Sequence, residues 1–323
     1  MIAIDSILQQ SLANFELLII GHQSTLATLR EQVPRDPRIK CIARRSPGIT
    51  SALNTGISQS HGSYIARMDD DDIAYPDRLQ QQLNALQRRS GLHLCGARIR
   101  FVDKEGSPDG VAPGNRKYQR WLNQLTEPAE LGLACYRECP LPHPTFMAHR
   151  SLWLELGGYK QLDAPEDYDL VLRAMLAGFK LCKPEPLLQD WRVHSKRLSC
   201  TDQRYRREAF TRLAAWAAVQ PCSGLALNSG RAVWLCGSGR LARHWHDALI
   251  EHGVTVCGFV DVARPGTQRR KRELPVIGYE QLAQSRSTQL LITAVTQPHG
   301  RMQICHFLEN QGWKNGIDYI VGG

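Results

Sequence analysis

The chain has 323 residues, of which 42% are hydrophobic and 22% charged, with a formal net charge of +9. This length supports two domains with a core each, and the composition is that of a soluble globular protein, which excludes collagen-like, disordered and disulfide-scaffold classes. No apolar run approaches the roughly 18–20 residues that span a bilayer. Met1–Ser6 lacks the basic and apolar regions of a signal peptide, so a cytoplasmic location is expected. The ten cysteines include no Cys-X-X-Cys pair, and the nearest two are Cys135 and Cys139. This argues against a zinc ribbon and for reduced thiols. The positive charge suits an anionic membrane surface or an anionic substrate such as a nucleoside diphosphate. No aromatic-and-basic repeat supports a nucleic-acid module.

In chain order, the pattern predicts a helix over Ile2–Leu12, a strand over Phe15–Ile20, a helix over Ser24–Gln32 and a short strand over Ile39–Ile42. A helix follows over Gly48–Ser60, with Gly62 as its stop signal. The next strand, Ser63–Met68, ends abruptly in Asp69-Asp70-Asp71-Asp72. Beyond it come a helix over Pro76–Arg89, strands over Leu92–Ala97 and Ile99–Val102, and a turn over Asp103–Gly106. This alternation argues for an α/β sheet. The prolines of Pro140–Met147 predict extended chain.

Four successive carboxylates do not belong in a core, because each buried charge costs several kcal/mol unless it is paired or metal-bound. Placed at the carboxyl end of a strand, they suit a hard divalent cation, and that is where α/β sheets bind ligands. The bland alternative is an acidic surface turn with Asp as a helix N-cap.

The ordered set Asp36-Pro37-Arg38-Ile39, Gly48–Ile57 and Gly62–Asp69 resembles the family 2 glycosyltransferases of the GT-A fold, and Asp69-Asp70-Asp71 matches their Asp-X-Asp signature. Gly157-Gly158-Tyr159 resembles the family's segment leading into the acceptor site, and Glu166-Asp167 its Glu-Asp motif. The resemblance covers residues 2 to about 200. It implies a nucleotide-sugar donor, a saccharide or lipid-linked acceptor, and Mn²⁺ or Mg²⁺ as cofactor. Sugar transfer needs a cation for the leaving diphosphate and a base for the acceptor hydroxyl. The resemblance therefore implies Asp69 and Asp71 as metal ligands, with His194 as a further metal or diphosphate contact. Asp69, Asp70, Asn54 and Arg67 fall to the donor, Asp167 to the general base, and Glu166 to the acceptor pocket beside it. Asp72 is assigned to capping the next turn, and His143 to shaping the acceptor site without ionising. The implied reaction is direct displacement with inversion, in surface polysaccharide or glycoconjugate synthesis. For Glu166 and Asp167 the alternative is helix capping.

Two departures stand against the resemblance. The family places an apolar strand and a Pro-X-Tyr-Asn-like loop before the helix that here starts at Ile2. Its loss should leave neighbouring strands with unpaired backbone groups. The family also carries two aspartates before a Gly-Ser-Thr turn, where this chain reads Gly21-His22-Gln23-Ser24-Thr25. Two functions therefore remain open: an active glycosyltransferase, and a catalytically inactive protein of the same shape that binds or scaffolds.

The Arg-rich stretch from Lys196 to Arg212 runs into apolar Leu213–Val219. It reads as an amphipathic helix on an anionic membrane, giving peripheral association at the inner face of the plasma membrane, or as a plain surface helix between domains. A second unit starts near Arg231. Strand Ala232–Cys236 leads into Gly237-Ser238-Gly239-Arg240-Leu241-Ala242, and strand Val254–Asp261 ends in an acid, a dinucleotide-type fingerprint that singles out Gly237 and Gly239. Gln289–Ala294 completes a Rossmann-like β-α-β unit. With Leu274–Glu280, this half resembles the small Rossmann-like domains of sugar acyltransferases and sugar methyltransferases. Its glycines suit a bound dinucleotide or a tight turn with close helix packing, and the second use is favoured. The expected organisation is a GT-A-like domain over 1–200, a helical linker over 201–229 and a Rossmann-like domain over 230–323. The oligomeric state is not legible.

Overall fold

The computed structural model describes residues 1–225, 227, 230–262, 269–282 and 288–323. In chain order the elements are α1 (Ile2–Leu8), β1 (Leu17–Gly21), α2 (Gln23–Gln32), β2 (Ile39–Ala43), α3 (Ile49–Gln59), β3 (Tyr64–Ala66), β4 (Ile73–Ala74), α4 (Arg78–Gln87), β5 (His93–Cys95) and β6 (Arg98–Val102). Then follow α5 (Pro113–Gln124), α6 (Pro128–Ala134), β7 (Met147–His149), α7 (Arg150–Glu155), α8 (Glu166–Leu176), β8 (Lys180–Cys182), β9 (Leu187–Arg192), α9 (Leu198–Thr201) and α10 (Arg207–Val219). The remainder are β10 (Ala232–Cys236), α11 (Arg240–Glu251), β11 (Val256–Val260), β12 (Arg269–Lys271), β13 (Leu274–Ile277), β14 (Gln289–Thr293), α12 (Pro298–Asn310) and β15 (Tyr319–Val321). Part of the expected linker, residues 226, 228 and 229, lies outside the described residues.

The chain divides into two compact units, one of residues 1–131 and 140–202, the other of residues 132–139 and 203–323. In the first unit the strands form three groups: the parallel pair β1-β2, the four-stranded β3-β7-β5-β8 and the three-stranded β4-β9-β6. Among the described residues β1 pairs only with β2 and β3 only with β7, so each keeps one edge without a strand partner. The cores are apolar clusters, one around Cys95, Met147 and Cys182, another around Ile99, Phe101, Leu122 and Trp191. Two local expectations change. The predicted extended segment Pro140–Met147 contains a 3₁₀ turn at His143–Thr145 before β7, closed by Thr145 N–H and Thr145 Oγ1, which both donate to Pro142 C=O at 2.9 and 2.7 Å. The strand expected over Ser63–Met68 shortens to Tyr64–Ala66, although Arg67 N–H still donates to Phe146 C=O at 2.8 Å.

The second unit is one six-stranded sheet in the order β12-β13-β11-β10-β14-β15. All neighbours are parallel except β12, which runs antiparallel to β13. Counting from β10, the parallel strands stand 3-2-1-4-5, the doubly wound arrangement whose crevice lies at the carboxyl ends of the strands. Helix α10 packs on α11 in this unit, with Leu213, Ala214, Ala215, Ala217 and Ala218 buried. The apolar half of the Arg-rich segment is thus spent on protein packing. Among the described residues no helix is long and apolar enough to cross a membrane.

Candidate active site

The acidic loop starts where β3 ends. Carboxylate oxygens of Asp69, Asp71 and Asp72 lie within 4.8 Å of one another, while Asp70 stays exposed. Carboxylates this close disfavour one another's charge, and hard oxygen donors converging on a point fit a divalent cation. His194, just past β9, places Nε2 3.0 Å from Asp71 Oδ2, which adds a nitrogen to the same cluster.

Asp72 corrects an expectation. It is only 1% exposed and caps no helix. One oxygen accepts from Gln189 Nε2 at 2.7 Å and the other from Arg192 N–H at 2.8 Å, which ties the loop to β9. Burial, with Asp69 and Asp71 close by, pushes its carboxyl up to about 8. The tertiary partners make this buried carboxylate tolerable, and they are invisible in the local sequence.

Further tethers fix the loop. Arg192 Nε donates to Asp71 C=O at 2.9 Å, and its Nη1 reaches the carbonyls of Asp103 and Lys104. Arg78 is fully buried on α4 and donates to Arg67 C=O and, at 3.1 Å, to Gln82 Oε1. Burial lowers its guanidinium to about 10. Gln82 in turn donates to Gly96 C=O at 3.1 Å and Thr145 C=O at 2.7 Å. Arg67 pairs with Asp69 through Nη2. Its Nε and Nη1 are buried with no hydrogen-bond partner among the described residues, an unfilled anion-binding capacity beside the acidic cluster.

The second acidic pair opens α8. Glu166 is 1% exposed and Asp167 is half-buried. Asp167 Oδ1 accepts from Tyr168 N–H at 2.7 Å, and the N-cap of α8 is Pro165, with no side-chain cap. Glu166 Oε1 lies 3.6 Å from His143 Nδ1, and His143 Nε2 meets the Tyr159 hydroxyl at 3.0 Å. Burial, with Arg67 and Arg197 nearby, holds His143 well below its usual pKa and therefore neutral. Glu166, Asp167, Asp69 and Arg67 all act electrostatically on Tyr159, so the fold gathers both acidic motifs around one phenol.

Asn54 is turned toward backbone. Its Nδ2 donates to Tyr159 C=O at 2.8 Å and its Oδ1 accepts from Tyr159 N–H at 2.9 Å. At Gly158, with φ +67°, a Cβ would stand 2.5 Å from Asn54 Oδ1, so only glycine permits this clamp. Arg173 on α8 supports the same loop from the other side, donating to Leu156 C=O at 2.6 Å and Gly158 C=O at 2.9 Å while pairing with Asp169. A cleft of about 740 Å³ runs along α3, with Arg45, Thr50, Asn54, Trp153, Tyr159 and Gln161 in its wall. Thr50 Oγ1 and Trp153 Nε1 are buried without a hydrogen-bond partner among the described residues. Arg78, Arg192 and Arg173 were not singled out by sequence. The signal that marks them is a lone arginine next to a motif, which is too common to be informative.

In the second unit, Gly237 has φ +101° and a Cβ there would lie 2.8 Å from Val295 Cγ2 and 3.0 Å from Ala294 C=O, whereas nothing lies within 4 Å of one at Gly239. The acid at the end of β11, Asp261, accepts from the Ser238 hydroxyl and from Val262 N–H. The fingerprint residues thus satisfy one another.

Residues 2–138 match the family model "Glycosyl transferase family 2". The O-antigen biosynthesis glycosyltransferase WbnJ of Escherichia coli is 29% identical over 203 residues, 60% of this chain and 74% of that protein. Chondroitin synthase of Escherichia coli is 32% identical over 178 residues, 54% of this chain but 24% of that protein. In the crystal structure of S. aureus TarS 1-349, a likeness at TM-score 0.49 and 15% identity covers 68% of this chain and 61% of the other. Residues 2–138 are therefore similar to glycosyltransferase family 2, and the relatives with which the chain aligns are named as glycosyltransferases or a polysaccharide synthase.

Proposed function

We propose that the first unit moves a sugar from a nucleotide-sugar donor to a hydroxyl of a saccharide or lipid-linked acceptor, with inversion, in the assembly of a surface polysaccharide or glycoconjugate. The observation that carries this reading is the convergence of Asp69, Asp71 and Asp72 within 4.8 Å beside Arg67, whose buried Nε and Nη1 lack partners. That pairing of carboxylates and guanidinium suits a diphosphate. Asp69, Asp71 and His194 would hold the ion. When bound, Mn²⁺ or Mg²⁺ neutralises charge developing on the leaving diphosphate. Arg67 adds fixed donors to the same oxygens. The acceptor lies in the cleft along α3, whose wall includes Tyr159, the phenol on which Glu166 and Asp167 also act electrostatically. Asp167 takes the acceptor proton as the new bond forms, and buried Glu166, faced by neutral His143, holds the start of α8 in place. Inversion follows from a single displacement.

Calorimetric titration of UDP and GDP into the chain, with and without Mn²⁺, tests the donor site. Binding of one nucleotide should require the ion and be lost on chelation by EDTA and in Asp71→Ala. Metal-independent binding that Asp71→Ala leaves unchanged removes the assignment. Asp167→Asn should cut kcat by about 10²–10⁴-fold while donor affinity stays within a few-fold. A large loss of donor affinity there would make Asp167 a binding residue instead. A second reading, an inactive binding protein, draws on the open edges of β1 and β3. Absence of any nucleotide binding by a chain with intact circular dichroism would favour it.

A further inference from the structure

The cleft of about 740 Å³ beside α3 runs from Ser46, before the helix, to Ser58 near its end. The 11 residues of α3 span about 16 Å, so the cleft follows the whole helix. A dry cavity of about 150 Å³ accepts one benzene-sized ring. This cleft has room for several.

Two buried groups in its wall call for a hydrogen-bonding occupant. Thr50 is 4% exposed and Trp153 1%. Thr50 Oγ1 and Trp153 Nε1 have no hydrogen-bond partner among the described residues. The local chain explains the first. Thr55 donates to Ser51 C=O, four residues back, at 2.8 Å. Thr50 stands in the first turn of α3, whose N-cap is Gly48. The residue four back from it, Ser46, precedes the helix, so Thr50 lacks the helical carbonyl that Thr55 uses. The indole N–H is a donor only and needs an acceptor.

The rest of the wall narrows the class. Among its described residues Arg45 is the one charged side chain, and it is exposed. With no carboxylate in the wall, a cation has no partner there. A lone exposed guanidinium, screened by solvent, holds an anion weakly. A lipid chain would seal Thr50 and Trp153 from water and supply neither with a partner. Sugar hydroxyls both donate and accept, so they satisfy the threonine and the indole alike. Leu154, 59% exposed, offers an apolar surface to the C–H face of a ring.

We propose, on the reading of this cleft as the acceptor site, that it holds an uncharged sugar chain of at least two residues along α3, with Thr50 and Trp153 as residues that recognise it. The acceptor is then bound through its glycan and not through a lipid tail.

An array of immobilised neutral and acidic glycans, from monosaccharides to pentasaccharides, is probed with the full chain in the presence of UDP and Mn²⁺. Calorimetry on the retained glycans gives Kd. At least one neutral glycan of two or more residues should bind, about tenfold or more tighter than its terminal monosaccharide. Thr50→Val keeps the side-chain shape and removes the hydroxyl, and should weaken that binding by about three- to tenfold. Thr50→Ser should stay within a few-fold of the wild type. Trp153→Phe, with folding checked by circular dichroism, should weaken it as well. A hydroxyl that is buried to no purpose gives the opposite result: Thr50→Val would melt at higher temperature and bind glycan as before, which overturns the proposal. So does retention of acidic glycans alone, or of monosaccharides as tightly as longer chains. Failure to bind any glycan, by a chain that still binds UDP with Mn²⁺, overturns it and leaves the transferase reading standing. Loss of UDP binding as well removes both.

Discussion

The two units build their sheets in opposite ways: the second is parallel but for one edge strand, whereas the first mixes parallel and antiparallel pairs. In the second, β10 sits between β11 and β14, and every strand of a single six-stranded sheet is joined to its neighbours. The loop after β10 is therefore held by the ladder itself, with Gly237 N–H on Val260 C=O at 2.7 Å and Ala294 N–H on Cys236 C=O at 2.8 Å. In the first, the sheet is divided, and the strand that delivers the carboxylates is three residues long with one edge open. There the loop is held by side chains that arrive from α4 and β9. Precise placement of an acidic loop thus does not need a continuous sheet, provided that buried arginines and amides replace the ladder. At the two loops themselves, Arg67 keeps buried nitrogens without partners among the described residues, whereas the fingerprint loop of the second unit closes on itself through Ser238 and Asp261.

Removing a tether should break the first arrangement most. Arg78→Met leaves the Arg67 carbonyl and Gln82 Oε1 without their donor, and unfolding of the first unit should ease by about 3 kcal/mol. Metal-dependent UDP affinity should fall with it. Scanning calorimetry and UDP titration read the two effects. An unchanged affinity would show that the loop holds its shape without Arg78.

A smaller effect separates the second unit by pH. Glu138 is raised from 4.5 to about 7 in the folded chain. Between those values the native state binds more protons than the unfolded one, so stability is full below about pH 4.5 and falls as pH rises through 7. The loss amounts to at most about 3 kcal/mol. Melting of the second unit measured from pH 5 to 8 should decline in the wild type and stay flat in Glu138→Gln. Equal slopes would mean that Glu138 is solvated.

The smallest change sharpens the comparison from the ladder side. Gly237→Ala meets Val295 and a positive φ, and should cost about 1–2 kcal/mol in the second unit. It should leave nucleotide binding by the first unit unchanged. A loss of UDP affinity there would couple the two units.

Much of the fold was legible because its signals are local. The strand-to-acid transition at Ala66–Asp72, the opening of α8 at Glu166, and the strand–glycine–helix passage at Cys236–Arg240 all depend on neighbouring residues. The edges of those elements were less so: α1 ends at Leu8 rather than near Leu12, and α4 begins at Arg78 rather than Pro76, where capping and tertiary contacts decide. Both acidic motifs were also visible in the sequence, since a strand end and a helix start are local features; that Asp69, Glu166 and Asp167 act on one phenol, Tyr159, depends on the tertiary structure.

The local sequence by itself determined the α/β alternation, the acidic motifs and the glycines at tight turns, because these follow from hydrophobic period, charge and backbone freedom over a few residues. Tertiary structure alone decided that Asp72 would be buried rather than capping. It turned Asn54 to the Tyr159 backbone, 105 residues away, and placed α10 on α11. It also brought residues 136–138 to a cavity that ends at Gly322. Each of these depends on partners distant in the chain, whose desolvation and hydrogen bonding no local pattern encodes.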